Sequence, residues 1–151
     1  MRRQDLVLDL DASLAVIDQN HFAVLCLNDP EQRPYGVPLD YVRKENALYF
    51  HGAKEGRKVS CMKAHPRACA VIIGENEIIS EKFGRKYQSV IVEGNIELID
   101  DPEMKRQVMH WVVQKKSPEY IEKGQKIIEK MLDRVLIYKL NMEVISGKHG
   151  L

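Results

Sequence analysis

Hydrophobic and polar positions alternate along several stretches of the chain, and this period of two predicts β-strands. The clearest alternation runs over residues 87–99, where the apolar positions on one face are Val90, Val92, Ile96 and Leu98. Strands of similar length are predicted at residues 21–28, 34–43, 47–51, 68–73 and 135–145. Six strands with three hairpin-like connections favour an antiparallel barrel or a strongly curled sheet, with helices packed outside it.

Helix signals fall between the predicted strands. Asp11 predicts the N-cap of a short first helix, and residues 56–64 form a second helix that His65-Pro66 closes. The acidic, proline-containing segment 100–103 predicts the start of a third helix. Ser117-Pro118 separates this helix from a fourth. We find no internal repeat, low-complexity tract or linker, so the pattern predicts a single domain.

Pro38 lies in the middle of the strand predicted at residues 34–43. Because proline has no N–H to donate, this strand is expected to have a free edge or a bulge at that point. The unpaired backbone groups could meet the amide-like edge of a flat heterocycle. An edge strand whose proline blocks aggregation is the commoner interpretation, and this pattern alone leaves both open.

Three cations, Lys54, Arg57 and Lys58, fall in the loop and first turn of the second predicted helix. The helix dipole is already positive there, so each cation costs a few tenths to ~1 kcal/mol unless a negative group compensates. Glu55 offsets one of them at most. A bound anion would resolve the rest, because free N–H groups at a helix start suit a phosphate. A solvated, charged helix start is an equally good interpretation of these residues alone.

Composition narrows the function classes. The 151 residues carry 23 Lys+Arg and 22 Asp+Glu, a net charge of +1, which argues against a nucleic-acid binder or a polybasic membrane module. No apolar run reaches the ~18 residues that a membrane span needs, and no targeting segment is visible, so we expect a cytoplasmic protein. The three cysteines are expected to be reduced thiols.

Metal and nucleophile chemistry has little support in the sequence. The five histidines show no i,i+4 pairing with one another and no CxxC is present, so no zinc site is expected. Cys61 and His65 share a helix face as a candidate nucleophile and base, but a spectator thiol is the favoured interpretation.

An ordered series of short motifs covers nearly the whole chain. The motifs are RR at 2–3, PYGVPL at 34–39, LYFHGAKEGRK at 48–58, Phe83, YQSVIVEG at 87–94 and ISGK at 145–148. This series resembles the pyridoxamine 5′-phosphate oxidase-like, FMN-binding split-barrel superfamily, and within it the nitroimidazole-resistance group. The resemblance implies one domain over residues 1–151, a six-stranded antiparallel split β-barrel with flanking helices.

The resemblance also implies a homodimer with FMN in the groove between subunits. Arg57 and Lys58 would bind the FMN phosphate, and His51 and Gly52 would lie beside the ribityl chain or phosphate. The remaining positions carried over are Val37, Pro38 and Leu39 along the isoalloxazine ring, and Gln88 and Ser89 as hydrogen-bonding residues. Lys148 is a further candidate whose place the resemblance does not fix.

The implied activity is FMN-dependent electron or hydride transfer from a reduced nicotinamide or another donor to a small acceptor, such as a nitroaromatic compound. His51 would either donate a proton or only hydrogen-bond the cofactor. No C-terminal substrate-phosphate motif is found, so we do not expect vitamin B6 oxidation, and Glu93 stands where the group often has an aromatic residue. The alternatives are a non-catalytic flavin carrier or sensor, a haem- or deazaflavin-binding relative, and a plain dimeric interaction module.

Overall fold

One antiparallel sheet of eight strands runs through residues 3–150, the part of the chain that the computed structural model describes. The strands are β1 (Val7–Leu8), β2 (Phe22–Asn28), β3 (Pro34–Lys44), β4 (Ala47–Ala53), β5 (Arg67–Ile79), β6 (Gly84–Ile99), β7 (Val135–Asn141) and β8 (Val144–Gly150). Six of them close into a ring in the order β6-β5-β2-β3-β4-β7, because β7 pairs with both β4 and β6. The ring confirms the predicted six-stranded antiparallel architecture. Arg2, the first residue of the RR motif, lies outside the described residues.

The long strand β6 serves both halves of the sheet. Its residues 84–95 pair with β5, and residues 96–99 pair with β7. Gly94 lies at the changeover, where a Cβ atom would stand only 1.7 Å from the carbonyl oxygen of Asn141. Only glycine allows the two backbones to approach this closely, so Gly94 lets β6 pass the corner between β7 and β8.

Within residues 3–150, four α-helices flank the ring, α1 (Leu10–Gln19), α2 (Arg57–Ala64), α3 (Pro102–Lys116) and α4 (Ile121–Met131). The predicted boundaries at α2, at the start of α3 and at Ser117-Pro118 are confirmed. The predicted cap of α1 at Asp11 is wrong. Asp9 is the N-cap, and its carboxylate accepts a hydrogen bond of 2.8 Å from the backbone N–H of Ala12. Both aspartates have a suitable capping side chain. Because the helix begins at Leu10, the residue before it, Asp9, takes the N-cap position.

The last predicted strand, residues 135–145, is not continuous. It breaks into β7 and β8 at Met142-Glu143, and β8 continues to Gly150. At the break the N–H of Glu143 donates to the carbonyl oxygens of Glu93 and Asn141, and its carboxylate pairs with Arg67. The apolar alternation continues across the corner through Leu140, Met142 and Val144, and a single Asn141, with no Gly or Pro, is too weak a turn signal to interrupt it. For that reason the pattern alone gave no sign of the break.

Two apolar cores hold the helices to the ring. The interior core draws on all six ring strands together with α1 and α2, and contains fully buried residues such as Leu25, Phe50 and Tyr138. The second core lies between α3, α4 and the outer sides of β4 and β7, with Tyr49, Val108 and Ile137 among its members. Burying each side chain of this size stabilises the fold by about 1.5–3 kcal/mol. None of the helices among the described residues combines the length and the apolar character that a membrane crossing requires.

Candidate functional site

The ring is split where β3 and β4 separate. These strands pair only from Tyr41 to Lys44 of β3 and from Ala47 to Phe50 of β4. Residues 34–40 of β3 are therefore bonded to β2 alone, and residues 51–53 of β4 are bonded to β7 alone. The free edge predicted from Pro38 is confirmed, and it opens onto the gap between the two strands. We call this gap, with the first turn of α2 beside it, the split.

The β3 edge of the split offers backbone more than side chains. Val37 and Leu39 are half-buried, and their side chains pack against the interior core. Pro38 between them is exposed and stands opposite Val24 of β2. A ligand in the split would therefore meet the ring of Pro38 and the unpaired backbone groups of residues 34–40.

Arg57, at the start of α2, is already held by this chain. Its guanidinium lies 4.3 Å from the ring centre of Tyr35, at the start of the free edge, and 3.5 Å from Oδ2 of Asp29. Asp29 is buried, which opposes its ionisation, but hydrogen bonds from the backbone and side chain of Arg33 hold the pKa of Asp29 below its usual value. The guanidinium is thus fixed in place, half-exposed, at one end of the split.

Lys58 is the cation of this cluster that no protein group neutralises. Across the described residues its ammonium has no ion pair and no hydrogen-bond partner, while its chain runs close to Gly52. Helix α2 begins after Gly56, whose φ of 111° favours glycine, and no side chain caps the free N–H groups of its first turn. An unpaired ammonium and uncapped N–H groups therefore lie together beside the split.

Gly52 makes room for two neighbours. A Cβ atom here would lie 2.6 Å from the hydroxyl oxygen of Tyr138 and 3.0 Å from Cε of Lys58. The Tyr138 hydroxyl donates a 2.6 Å hydrogen bond to the carbonyl oxygen of Ala53, and burial raises the pKa of Tyr138 to about 12, so the donor keeps its proton. Glycine is therefore required at position 52 by the packing of Tyr138 and Lys58, independently of any ligand.

His51 stands where the two strands diverge, on the α3 side of β4, opposite in direction to Gly52. It is half-buried, and within the described residues its Nδ1 is buried without a hydrogen-bond partner. Burial lowers the pKa of His51, and the nearby ammonium of Lys116 lowers it further against the opposing effect of Asp40. Lys116 and Asp40 form an ion pair with each other. The imidazole is therefore neutral at pH 7.

The split thus gathers seven of the nine positions carried over by resemblance. They are Val37, Pro38, Leu39, His51, Gly52, Arg57 and Lys58. At one end of the free edge, the ring of Tyr35 contacts the guanidinium of Arg57. At the other end, the charge of Asp40 acts on the imidazole of His51. Sequence analysis assigned no role to four supporting residues, which are Tyr35 of the PYGVPL motif, Asp29, Asp40 and Lys116. No local spacing could have found them, because each acts across a long stretch of chain.

The other two positions lie elsewhere in one chain. Gln88 and Ser89 are on β6, and β2 and β5 separate them from β3, a distance of three strand spacings or about 14 Å. Ser89 stands opposite Lys148 of β8 and faces the outer side of the sheet, as Pro38 does. Gln88 faces the inner side, near Val16 of α1 and Gly74. The structure therefore pairs Ser89 with Lys148 and separates both from the split.

Ser89 and Lys148, which we call the β6 pair, share the outer face with an apolar surface. Exposed apolar residues on this face of β2, β5, β6 and β8 are Phe22, Ile73, Ile91 and Val144. Metal binding finds no support here, since residues 3–150 contain no group of three His, Cys, Asp or Glu side chains placed to hold an ion.

Solved structures with the same fold include proteins with flavin and haem in their descriptions. A proposed 5-nitroimidazole antibiotic resistance protein from Bacteroides thetaiotaomicron is 20% identical, with a TM-score of 0.79 over 95% of this chain and 86% of its own. A FAD-binding protein from Mesorhizobium loti is 25% identical, with a TM-score of 0.73 over 96% and 97%. The haem storage protein HutZ from Vibrio cholerae is 16% identical, with a TM-score of 0.64 over 95% and 97%.

Sequence comparison settles the family. A search of curated proteins finds no match to this chain. The family model for pyridoxamine 5′-phosphate oxidase matches residues 9–149, which include every strand except β1 and the last residue of β8, and also the split and the β6 pair. The chain belongs to the pyridoxamine 5′-phosphate oxidase family.

Proposed function

We propose that the protein is a homodimeric, FMN-dependent oxidoreductase that passes electrons from a small donor to a small acceptor, with nitroaromatic compounds as one acceptor class. The observation that carries the proposal is the unpaired ammonium of Lys58 beside the uncapped start of α2. The family and the flavin named in the description of the Mesorhizobium loti protein support a flavin as the ligand. FMN, as the particular flavin, is our inference from the unpaired ammonium of Lys58 and the uncapped helix start, which suit a terminal phosphate.

The phosphate end of FMN would lie against α2. A phosphate there would accept hydrogen bonds from the first-turn N–H groups and neutralise Lys58, which removes the cost of a cation at a helix start. Arg57 would approach the same phosphate while Tyr35 and Asp29 hold its guanidinium in orientation. Charge-assisted hydrogen bonds of this kind contribute about 1.5–3 kcal/mol each.

The isoalloxazine ring would lie along the free edge of β3. Residues 34–40 present backbone donors and acceptors that no neighbouring strand satisfies, and the ring of a flavin carries amide-like groups on one edge. Pro38 offers a flat apolar surface at the middle of this edge. The chain binds and orients the flavin in this way, and bound FMN supplies the electron-transfer chemistry.

A second copy of the chain would complete the site. The outer face carries four exposed apolar side chains, Phe22, Ile73, Ile91 and Val144, and a two-fold interface uses one such face on both copies. That arrangement would place the β6 pair of one copy near the split of the other. Ser89 could then hydrogen-bond a flavin that Lys58 of the second copy holds by its phosphate.

His51 would hold a proton at the divergence of the two strands. Since its lowered pKa leaves the imidazole neutral at pH 7, it has one N–H to donate and one ring nitrogen to accept. Its unpartnered Nδ1 favours a hydrogen bond to a bound ligand. This supports the hydrogen-bonding role more than the role of proton donor.

The experiment that tests the proposal is an absorption spectrum of the purified protein, followed by titration with FMN and FAD and by turnover assays. We expect two visible flavin bands, tighter binding of FMN than of FAD, and reduction of a nitroaromatic acceptor with a reduced nicotinamide. A single intense Soret band would instead identify a haem protein. Flavin binding without turnover of any donor would identify a carrier or sensor, and a colourless protein without flavin affinity would contradict the proposal.

A further inference from the structure

A carboxylate just after β6 holds two ammonium groups. The Nζ atom of Lys105, near the start of α3, donates a 2.7 Å hydrogen bond to Oδ1 of Asp100. The Nζ atom of Lys54 lies 2.9 Å from the same oxygen and 3.0 Å from Oδ2. Hydrogen bonds from Lys105 and from Lys54 hold the pKa of Asp100 below its usual value, so the carboxylate is ionised at neutral pH.

Lys105 fixes the position of this carboxylate. The side chain of Lys105 is only 3% exposed, and a buried ammonium group needs a paired acceptor. Among the described residues, Asp100 supplies that acceptor. The carboxylate is therefore held against α3, although its own side chain is 55% exposed. An ion pair between two mobile surface side chains is weak, but here the carboxylate that Lys54 contacts is already ordered.

Lys54 connects this carboxylate to the loop before α2. The strands β4 and β6 both run antiparallel to β7, so their last residues reach the same edge of the ring. Lys54 directly follows β4 and Asp100 directly follows β6, and their contact therefore spans the start of β7. Within residues 3–150, Lys54 is the one residue of the loop 54–56 whose side chain bonds to another element, because Glu55 has no partner.

The loop 54–56 sets where α2 begins. The first hydrogen bond of the helix runs from the N–H of Ser60 to the carbonyl oxygen of Gly56, the last residue of the loop. The uncapped N–H groups of the first turn and the side chain of Lys58 follow directly. A shift of the loop would therefore change the distance between these groups and a ligand that lies along the free edge of β3.

We propose that Asp100 is a positioning residue for the phosphate site of the flavin. Anchored by Lys105, it holds Lys54 and thereby fixes the loop that sets the start of α2. This inference rests on the proposed function, and Asp100 acts through Lys54 and not as a ligand. The negative charge of Asp100 opposes the binding of a phosphate. Its effects through position and through charge are therefore opposite in sign, which allows an experiment to separate them.

Titration of Asp100→Asn with FMN and riboflavin separates the two effects, because asparagine keeps the size of the side chain and removes its charge. We expect the Kd for FMN to rise about 5- to 10-fold, the effect of one misplaced hydrogen bond, while the Kd for riboflavin stays the same. Glu129→Gln is the matched control, since it neutralises a carboxylate that is also 55% exposed and pairs with Arg106. It should leave both Kd values unchanged. Unchanged or tighter FMN binding by Asp100→Asn, or an equal loss of affinity for both ligands, would overturn the proposal.

Hydrogen exchange of the flavin-free protein tests the positioning without a ligand. The amide of Ser60 should exchange faster in Asp100→Asn and in Lys54→Gln than in wild type, because the loop before it is less ordered. Lys54→Gln leaves the contact between Asp100 and Lys105 in place, so it should keep the wild-type thermal midpoint and decides the matter if Asp100→Asn does not fold. Unchanged exchange of Ser60 in Lys54→Gln would overturn the proposal. A wild type that binds FMN no more tightly than riboflavin would instead overturn the phosphate site itself, and this inference with it.

Discussion

The split and the β6 pair differ in how much of a binding site one chain supplies. At the split, strand edges, a glycine and a helix start bring His51, Gly52, Arg57 and Lys58 together within a single chain. In the β6 pair, Ser89 stands about 14 Å from β3 across two intervening strands, and Lys148 stands one strand further, beside an exposed apolar surface. The difference teaches that local chain geometry brings seven of the nine proposed positions together in one chain, whereas the β6 pair would join a site only in the dimer that we propose.

The largest expected effect is on the scaffold beneath the split. Leu136 of β7 is buried opposite Gly52, and Leu136→Ala should lower the free energy of unfolding by about 2–5 kcal/mol. The folded fraction should still bind FMN with unchanged affinity, because the side chain faces the core. Urea unfolding and an FMN titration below the transition check this. A loss of flavin affinity without loss of stability would mean that Leu136 faces the ligand.

Lys58→Ala removes the main charge of the split. We expect FMN affinity to fall by about 1.5–3 kcal/mol, which is roughly a 10- to 150-fold rise in Kd. Stability should stay constant or rise by a few tenths of a kcal/mol, since a cation leaves a helix start. Lys63→Ala, at the other end of the same helix, is the matched control: it should leave FMN affinity unchanged and lower stability by a few tenths of a kcal/mol, because the dipole favours a cation at that end. Equal FMN titrations for Lys58→Ala and wild type would exclude the phosphate site.

Arg57→Ala should have a smaller effect on FMN than Lys58→Ala, of about 1 kcal/mol. Asp29 and Tyr35 already engage its guanidinium, so part of its interaction energy is spent within the chain. Loss of the Asp29 contact should also lower stability by up to about 1 kcal/mol, in contrast to Lys58→Ala. Isothermal titration and urea unfolding measure both quantities. The reverse ranking of the two variants would show that Arg57 is the principal phosphate ligand.

Ser89→Ala should weaken FMN binding by about 1 kcal/mol, the contribution of one neutral hydrogen bond. The effect tests whether the site is shared, because Ser89 and Lys58 would then come from different copies. Mixed dimers of Lys58→Ala and Ser89→Ala chains should regain one site of wild-type affinity per dimer, since one of the two sites then contains neither change. Absence of such a site in a mixed dimer verified by mass spectrometry would place both residues in the same chain's site.

The smallest expected effect concerns pH and His51. Its pKa is lowered in the folded chain by burial and by Lys116, so the unfolded chain binds a proton first as the pH falls below about 6.5. The contribution of neutral His51 to the free energy of unfolding is therefore complete above the pKa that His51 has in the unfolded chain. It is lost as the pH falls toward the lower pKa of the folded chain. Wild type should lose more stability than His51→Gln between pH 7.5 and 5.5, measured by urea unfolding. Equal losses in the two proteins would show that protonation of His51 does not destabilise the folded chain.

The sequence predicted local features well and long-range ones poorly. Alternation found the six ring strands, and Pro38 correctly indicated a free edge. The corner at Met142-Glu143 escaped notice because the apolar alternation runs through it. The unbalanced cations pointed to Arg57 and Lys58, but only the structure shows that Asp29 and Tyr35 engage Arg57 and that Lys58 is unpaired. These contacts join residues distant in sequence, which no spacing rule encodes.

The most direct test of the account compares FMN with riboflavin, the same ring system without phosphate, in wild type and Lys58→Ala. If Lys58 and the start of α2 bind the phosphate, wild type should prefer FMN strongly, and Lys58→Ala should lose affinity for FMN while its affinity for riboflavin stays the same. Loss of affinity for both ligands to the same extent, or for neither, would contradict the assignment of the split as the phosphate site of a flavin.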